Sequence, residues 1–320
     1  MYAVPESLPD NSALIISIIG YVMTKFMKSL PNRRVTIAIL SLLAAVSVYG
    51  GGPEKPKKCI LVFGAHADDV ELMAGGTFAK YISEGYEGVY VCVLNNFAGC
   101  AIESVGGGTT PPAGIMGPLF SISESPKSYP VGALESMQIR REESIRAAEV
   151  FQASPVFLDF GQGFIWMGRR RCYFGSDEYH QFHPPGRTVV SLAEIERGNV
   201  DYLVELLLMY SPEIVITHTL GGEKHDHGNS AYLMYLAFKK AMEKGVAVGE
   251  LWMRPKGWLA EDKATIACLG KGAVHVNVKD HLGIKYEALN KHVSQTGIPR
   301  KQTRPEEITE DFIRVLVNTK

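Results

Sequence analysis

Cysteine is scarce in this chain and never closely paired. Five occur in 320 residues (Cys59, Cys92, Cys100, Cys172 and Cys268), with no C-x-x-C and no zinc-finger spacing among them. A disulfide-stapled scaffold and a cysteine-zinc framework are thereby not indicated. Cys59 and Cys92 fall in apolar, strand-like runs and read as core residues. A surplus of charge is missing too, since 33 Lys and Arg stand against 34 Asp and Glu, a formal charge of −1. With no general electrostatic pull on phosphates, nucleic-acid binding is set aside. What is present, 46% hydrophobic and 21% charged residues, is ordinary for a globular protein and sufficient for one sizeable α/β domain.

The first 52 residues read apart from that domain. An apolar run over 35–49 is preceded by Lys28, Arg33 and Arg34 and followed by Gly50, Gly51, Gly52 and Pro53. A basic region, a short apolar stretch and small residues after it are the marks of an export signal, which predicts a periplasmic or extracellular location. The competing reading is an uncleaved membrane anchor, because extending the run through Gly52 brings it near the lower limit for a span. Membrane contact is expected through this segment alone. Residues 53–58 form a polar linker into a domain over 59–320.

The chemistry begins where the first strand ends. An apolar, β-favouring run over 59–63 stops at Gly64, and His66-Ala-Asp68-Asp69-Val-Glu71 follows before an amphipathic helical pattern. Ligands of open α/β sheets bind at the carboxyl ends of strands, so the cluster falls where chemistry is done. Residues three apart share a helix face, so His66 and Asp69 can point at one ion while Asp68 projects to one side as a free base. Neutral imidazole plus carboxylate suits zinc, with iron or another divalent ion harder to exclude. The bland alternative is that both aspartates favour a helix N-terminus and His66 caps a turn.

Further along, Gly75 and Gly76 lie inside the helical pattern, where each costs about 1 kcal/mol relative to Ala, so they are expected to let the helix approach another backbone. Residues 89–94 read as the second strand, and 95–134 as a long segment without period, a flap or a surface excursion. An amphipathic helix over 140–151 turns Ile139, Ala147, Ala148 and Phe151 inward, and 156–160 is the third strand. A second irregular segment, 164–198, is rich in aromatics and cations, a composition that suits a sugar-like ligand or anchors the loop itself. A helix over 199–210 and a buried strand over 214–217 lead to His218-Thr-Leu-Gly-Gly-Glu-Lys224-His225-Asp226-His227. His227 opens the next helix and is the third metal-ligand candidate, with Asp226 or His225 left for ligand orientation or proton transfer. His218, at the strand's end, reads as a structural histidine.

These motifs resemble the zinc-dependent N-acetylglucosamine deacetylases related to phosphatidylinositol-glycan biosynthesis protein L, also called the LmbE-like family. The opening motif Ala-His-Pro-Asp-Asp-x-Glu with Gly-Gly-Thr after it is matched by residues 65–71 and by Gly75, Gly76 and Thr77, with Ala67 in place of proline. An Arg-x-x-Glu-x-x-x-Ala helix is matched by Arg140, Glu143 and Ala147. A Lys-x-x-Ala-Leu-x-x-His-x-Ser-Gln segment is matched by Lys285, Ala288, Leu289, His292, Ser294 and Gln295.

The resemblance implies a Rossmann-like, mostly parallel sheet flanked by helices, with long inserted loops. It implies zinc on His66, Asp69 and His227, and removal of an N-acetyl group from an amino-sugar substrate. Asp68 is then the base, and His225, with Lys224 as second choice, the donor to the oxyanion; Asp226 is counted with the catalytic group. Arg140 is expected to orient sugar hydroxyls and His292 to line the site. Two departures stand out: Lys224 occupies the place of the first histidine in the usual His-Pro-Asp-His, and Gln162 the place of an aspartate that touches the sugar. Two alternatives stay open, a zinc amidase acting on another N-acyl substrate and an inactive sugar- or metal-binding protein on the same scaffold.

Overall fold

The computed structural model describes residues 58–98, 133–167, 170–177, 179, 187–190, 198–220, 226–255, 272–294 and 308–319. The expected export signal, most of the 95–134 segment, Lys224, His225 and Gln295 lie outside the described residues. No helix among the described residues is long and apolar enough to cross a membrane.

β1 (Cys59–Gly64) is buried at every position and pairs in parallel with β2 (Glu87–Leu94) on one side and β7 (Ile214–His218) on the other. Its alternation divides the interior. Cys59, Leu61 and Phe63 enter one core, whereas Ile60 and Val62 enter another. A strand buried on both faces needs no polar side, which is why it reads as a continuous apolar run. The first core is closed by α3 (Asn199–Tyr210), through Leu203, Val204 and Leu207, and by α4 (Asp226–Glu243), through Leu233, Ala237 and Phe238. The second is closed by α1 (Asp69–Ser83), α2 (Ala133–Phe151) and α5 (Leu282–Leu289). The result is a three-layer α/β/α arrangement.

The other strands are β3 (Ser154–Gly161), β4 (Phe164–Met167), β5 (Arg170–Tyr173), β6 (Arg187–Val189), β8 (Glu250–Arg254), β9 (Gly272–Asn277) and β10 (Thr309–Val317). Eight strands form one sheet in the order β6-β3-β2-β1-β7-β8-β10-β9, and β4-β5 form a separate hairpin. In the eight-stranded sheet β10 is antiparallel to both of its neighbours and the other pairs are parallel. The segment over 164–198, expected to be irregular, therefore contains a hairpin and an edge strand. The chain leaves β1 for β2 and later returns to β7 on β1's other side. That reversal opens a crevice at the carboxyl ends of β1 and β7, the place where such sheets bind ligands.

The Gly75-Gly76-Thr77 stretch sits at a kink in α1, where Ala74 departs from helical geometry (φ −147°, ψ 16°). The carboxylate of Glu310 on β10 accepts hydrogen bonds from Gly76 N (3.1 Å) and Thr77 N (2.7 Å), capping the helix's second half. Lys285 Nζ pairs with the same carboxylate at 2.9 Å. A Cβ at Gly76 would lie 2.6 Å from Val278 Cβ, and one at Gly75 2.9 Å from Lys285 Cγ. The glycines do permit a close approach, but to side chains of the C-terminal elements and not to a backbone.

Candidate metal centre and its buried support

His66 lies in the turn between β1 and α1, two residues before the Asp68 N-cap, and so is not on the first helical turn. The turn still brings it to Asp69, with His66 Nδ1 3.3 Å from Asp69 Oδ2. The His66 backbone N–H donates to that oxygen at 2.6 Å and fixes the carboxylate. From the far side of the crevice, His227 at the start of α4 places Nε2 3.0 Å from His66 Nδ1 and 3.4 Å from Asp69 Oδ2. Donors about 2.0–2.1 Å from a tetrahedral zinc stand roughly 3.3–3.4 Å from one another. A triangle with edges of 3.0, 3.3 and 3.4 Å therefore matches an ion of that size. The three residues predicted as ligands are those whose donor atoms converge.

The second nitrogen of His66 is also engaged. Its Nε2 lies 3.4 Å from Asp226 Oδ2, and Asp226 Oδ1 accepts from Gly163 N at 2.8 Å. A carboxylate behind a ligating imidazole sets its tautomer and raises its basicity. Asp226, 2% exposed, is thus placed to orient the His66 ring, not to touch a substrate. Burial opposes charge on His66, but hydrogen bonds to Asp226 and Asp69 outweigh it and raise its pKa to about 10. For Asp69, burial is outweighed by the facing imidazoles of His227 and His218, which hold its pKa well below the ordinary carboxylate value.

His218 lies beside the cluster without being one of its three converging donors. Because β7 neighbours β1, its last residue lands beside the turn, with Nε2 3.2 Å from Asp69 Oδ2 and 3.2 Å from Ala65 N. Its ring stacks on His227 at 4.2 Å between centroids, 8° from parallel. Burial lowers its pKa. Its position at the carboxyl end of a strand was the available sequence signal; the strand order was not legible.

The Asp68 side chain is 12% exposed, and its Oδ1 lies 3.2 Å from Arg140 Nη2. Arg140 was expected to hold sugar hydroxyls. Its side chain is 3% exposed, and its other terminal nitrogen, Nη1, lies 3.4 Å from Glu143 Oε2. Glu143 accepts in turn from Ser294 N (2.6 Å) and Ser294 Oγ (2.7 Å). His292, expected to line the site, is 1% exposed, with Nε2 3.2 Å from Glu71 Oε1 and Nδ1 4.0 Å from Glu143 Oε2. Tyr90 Oη lies 2.9 Å from the Ala67 carbonyl and 3.2 Å from Glu71 Oε2, two acceptors for its one proton. The residues shared with the family motifs thus build a buried polar network beneath the turn that carries His66 and Asp69. Such a network rigidifies what it holds when its members are paired.

Gln162 is 1% exposed. Its Oε1 accepts from Ala98 N at 2.8 Å, and its backbone carbonyl accepts from Tyr179 Oη at 2.6 Å. It tethers the chain leaving β2. Where the family motif has proline, Ala67 donates its N–H to Asn96 Oδ1 at 3.1 Å. Asn96 adopts the left-handed conformation (φ 59°), which asparagine tolerates better than most residues.

Residues 61–238, more than half of the chain, match the family model described as PIG-L, GlcNAc-PI de-N-acetylase. Similar solved structures include a deacetylase of the teicoplanin biosynthesis pathway in complex with bog (17% identity, 82% of this chain and 100% of that one, TM-score 0.50). Another is the zinc-inhibited form of teicoplanin deacetylase Orf2 (14% identity, 82% and 100%, TM-score 0.50). N,N'-diacetylchitobiose deacetylase from Pyrococcus horikoshii is also similar (17% identity, 85% and 83%, TM-score 0.47). At these identities the likeness is one of fold. With the matched region holding all three converging donors together with Asp68, Arg140 and Glu143, the chain belongs to the PIG-L family, that of GlcNAc-PI de-N-acetylase.

Proposed function

We propose that this protein is a metal-dependent hydrolase that removes the N-acetyl group from an N-acetylglucosamine-type amino sugar or its conjugate, with zinc as the cation. The observation that carries the reading is the ion-sized triangle of His66, Asp69 and His227 donors, with Asp68 next to Asp69 in the chain and its carboxylate held by Arg140. Family membership supports the reaction class, and similar solved structures include deacetylases. When bound, the cation would supply positive charge to polarise water and the acyl carbonyl.

The remaining work falls to the chain. Arg140 holds Asp68 by Oδ1, which leaves Oδ2 to take a proton from the attacking water and return it to the departing amine. Asp226 keeps His66 in the tautomer that turns Nδ1 toward the ion. From the sequence we assign the donor to the developing oxyanion to His225, with Lys224 second. The sugar platform we propose is the β4–β5 hairpin, which carries the partly exposed Tyr173 and Phe174 and is joined to Asp226 through Gly163.

The test is a substrate panel of N-acetylglucosamine conjugates against N-acyl amino acids, read as acetate or acid release by the full chain. Release from the sugars supports the proposal; release from the amino acids alone makes the protein an amidase of another kind.

A further inference from the structure

At the end of the sheet remote from the metal-binding crevice, a cavity of about 370 Å³ opens between the C-terminal end of α1 and the beginnings of β7 and β8. Tyr81, Tyr86, Glu213, Ile214, Glu250 and Trp252 are among the residues that line it. Its volume is in the range of small-molecule sites, and none of these residues takes part in the proposed reaction. The length of β7 separates it from the metal-binding end, about 15 Å at strand rise.

Its walls are aromatic, and its two carboxylates each face one cation of the chain, Glu213 facing Lys58 and Glu250 facing Arg314. Tyr81 meets Tyr86 edge to face (5.0 Å between centroids, 78°) and Trp252 likewise (6.1 Å, 68°). Glu213 and Glu250 are main-chain neighbours, Glu250 N donating to the Glu213 carbonyl at 2.8 Å. Each carboxylate is anchored by one oxygen. Trp252 Nε1 donates to Glu250 Oε2 at 2.6 Å, with Arg314 Nε 2.8 Å from the same atom. Tyr86 Oη and Lys58 Nζ donate to Glu213 Oε1 at 3.1 and 3.2 Å. Glu213 Oε2 and Glu250 Oε1 have no hydrogen bond among the described residues. The 15-residue α1 ends here and adds the negative end of its dipole. Burial, Tyr86 and the carboxylates of Glu84, Glu250 and Glu213 all push the Tyr81 phenol above its ordinary pKa, in the order burial first. The chain itself seats an ammonium at the rim, where Lys58 Nζ stands 5.4 Å from the centre of the Tyr86 ring.

We propose that this cavity is a second binding site, for a primary ammonium carried on a small polar ring. The ammonium is accepted by the spare oxygens of Glu213 and Glu250, and the carbon frame lies against Tyr81, Tyr86 and Trp252, where aromatic faces attract cations. A neutral acetamide has one N–H and no charge to offer, so the site prefers the free amine to its acetylated form. An amino sugar stripped of its acetyl group has this chemistry, although the site stands whether or not the catalytic reading holds.

The experiment is calorimetric titration of the full chain with glucosamine and with N-acetylglucosamine. Saturable glucosamine binding is expected, about tenfold or more tighter than N-acetylglucosamine, a gap of about 1.4 kcal/mol. It should weaken about tenfold in Glu213→Gln and in Glu250→Gln and persist in His227→Ala. Glu213 is partly exposed, so its variant stays informative if Glu250→Gln unfolds the strand. Acetate release should be unchanged in Glu213→Gln. Equal affinity for the two sugars, loss of binding in His227→Ala with none in the glutamine variants, or no saturable glucosamine binding by the unmodified chain would each overturn the proposal.

Discussion

Replacing Arg140 by methionine separates two roles that the sequence could not tell apart. The guanidinium is 3% exposed and lies between Asp68 Oδ1 at 3.2 Å and Glu143 Oε2 at 3.4 Å. Methionine fills much of the volume and leaves both carboxylates without that cation. Breaking a buried ion pair by removing one partner costs about 3–5 kcal/mol. At about 2–4 °C per kcal/mol for a domain of this size, the melting temperature should fall by about 6–20 °C. With Asp68 no longer held, kcat should drop on the order of 10²-fold, while KM for the sugar stays within about twofold, since uniform binding is untouched. Adding Glu143→Gln should restore part of the lost stability, because one of the two orphaned charges is then gone, and the double-mutant cycle measures that coupling. Thermal unfolding by circular dichroism and steady-state acetate release provide the two readouts. A melting temperature within about 2 °C of the unmodified chain, together with a raised KM, would refute the reasoning and return Arg140 to the sugar.

Ala67→Pro restores the residue of the family motif, yet it should destabilise this chain by about 1–3 kcal/mol, because the N–H that Asn96 Oδ1 accepts disappears within a buried turn; chemical unfolding midpoints measure it, and a neutral or stabilised variant would count against that hydrogen bond. Asp226→Asn should weaken metal affinity about 10- to 100-fold with the fold intact, read by chelator competition. The metal-free protein should lose stability with rising pH. His66 has a folded pKa of about 10 against an ordinary 6.5, so its contribution is complete below pH 6.5 and disappears as pH climbs through 10. Urea midpoints after chelation should fall over that window, and less so in Asp226→Asn; midpoints that rise would contradict the pairing of His66 with Asp226 and Asp69.

The local parts of the site were legible in the chain and the tertiary parts were not. His66, Asp69 and His227 follow from an imidazole and carboxylates placed just after apolar strands, a pattern confined to a few residues each. The periodicity of α2 correctly turned Ala147, Ala148 and Phe151 inward. It also favoured Ile139, which is only half-buried, while Ser136, Arg140, Glu143 and Ser144 occupy the covered face. Hydrophobic patterning cannot register a helix whose buried face is polar, because the partners that satisfy it come from Asp68, Asn96, His292 and Ser294, elements apart in sequence. Glu310 capping a helix kink from 233 residues away is of the same kind, and so is His218, whose neighbour Asp69 is set by strand order.

The central claim is that His66, Asp69 and His227 hold a cation with which Asp68 works. The most direct test measures metal content and acetate release from N-acetylglucosamine conjugates on the same samples of the unmodified chain, Asp68→Asn and His227→Ala. The account predicts release that chelation abolishes, Asp68→Asn protein that retains its metal yet loses most turnover, and His227→Ala protein that loses both. Undiminished turnover in Asp68→Asn, or an unchanged metal content in His227→Ala, would contradict it.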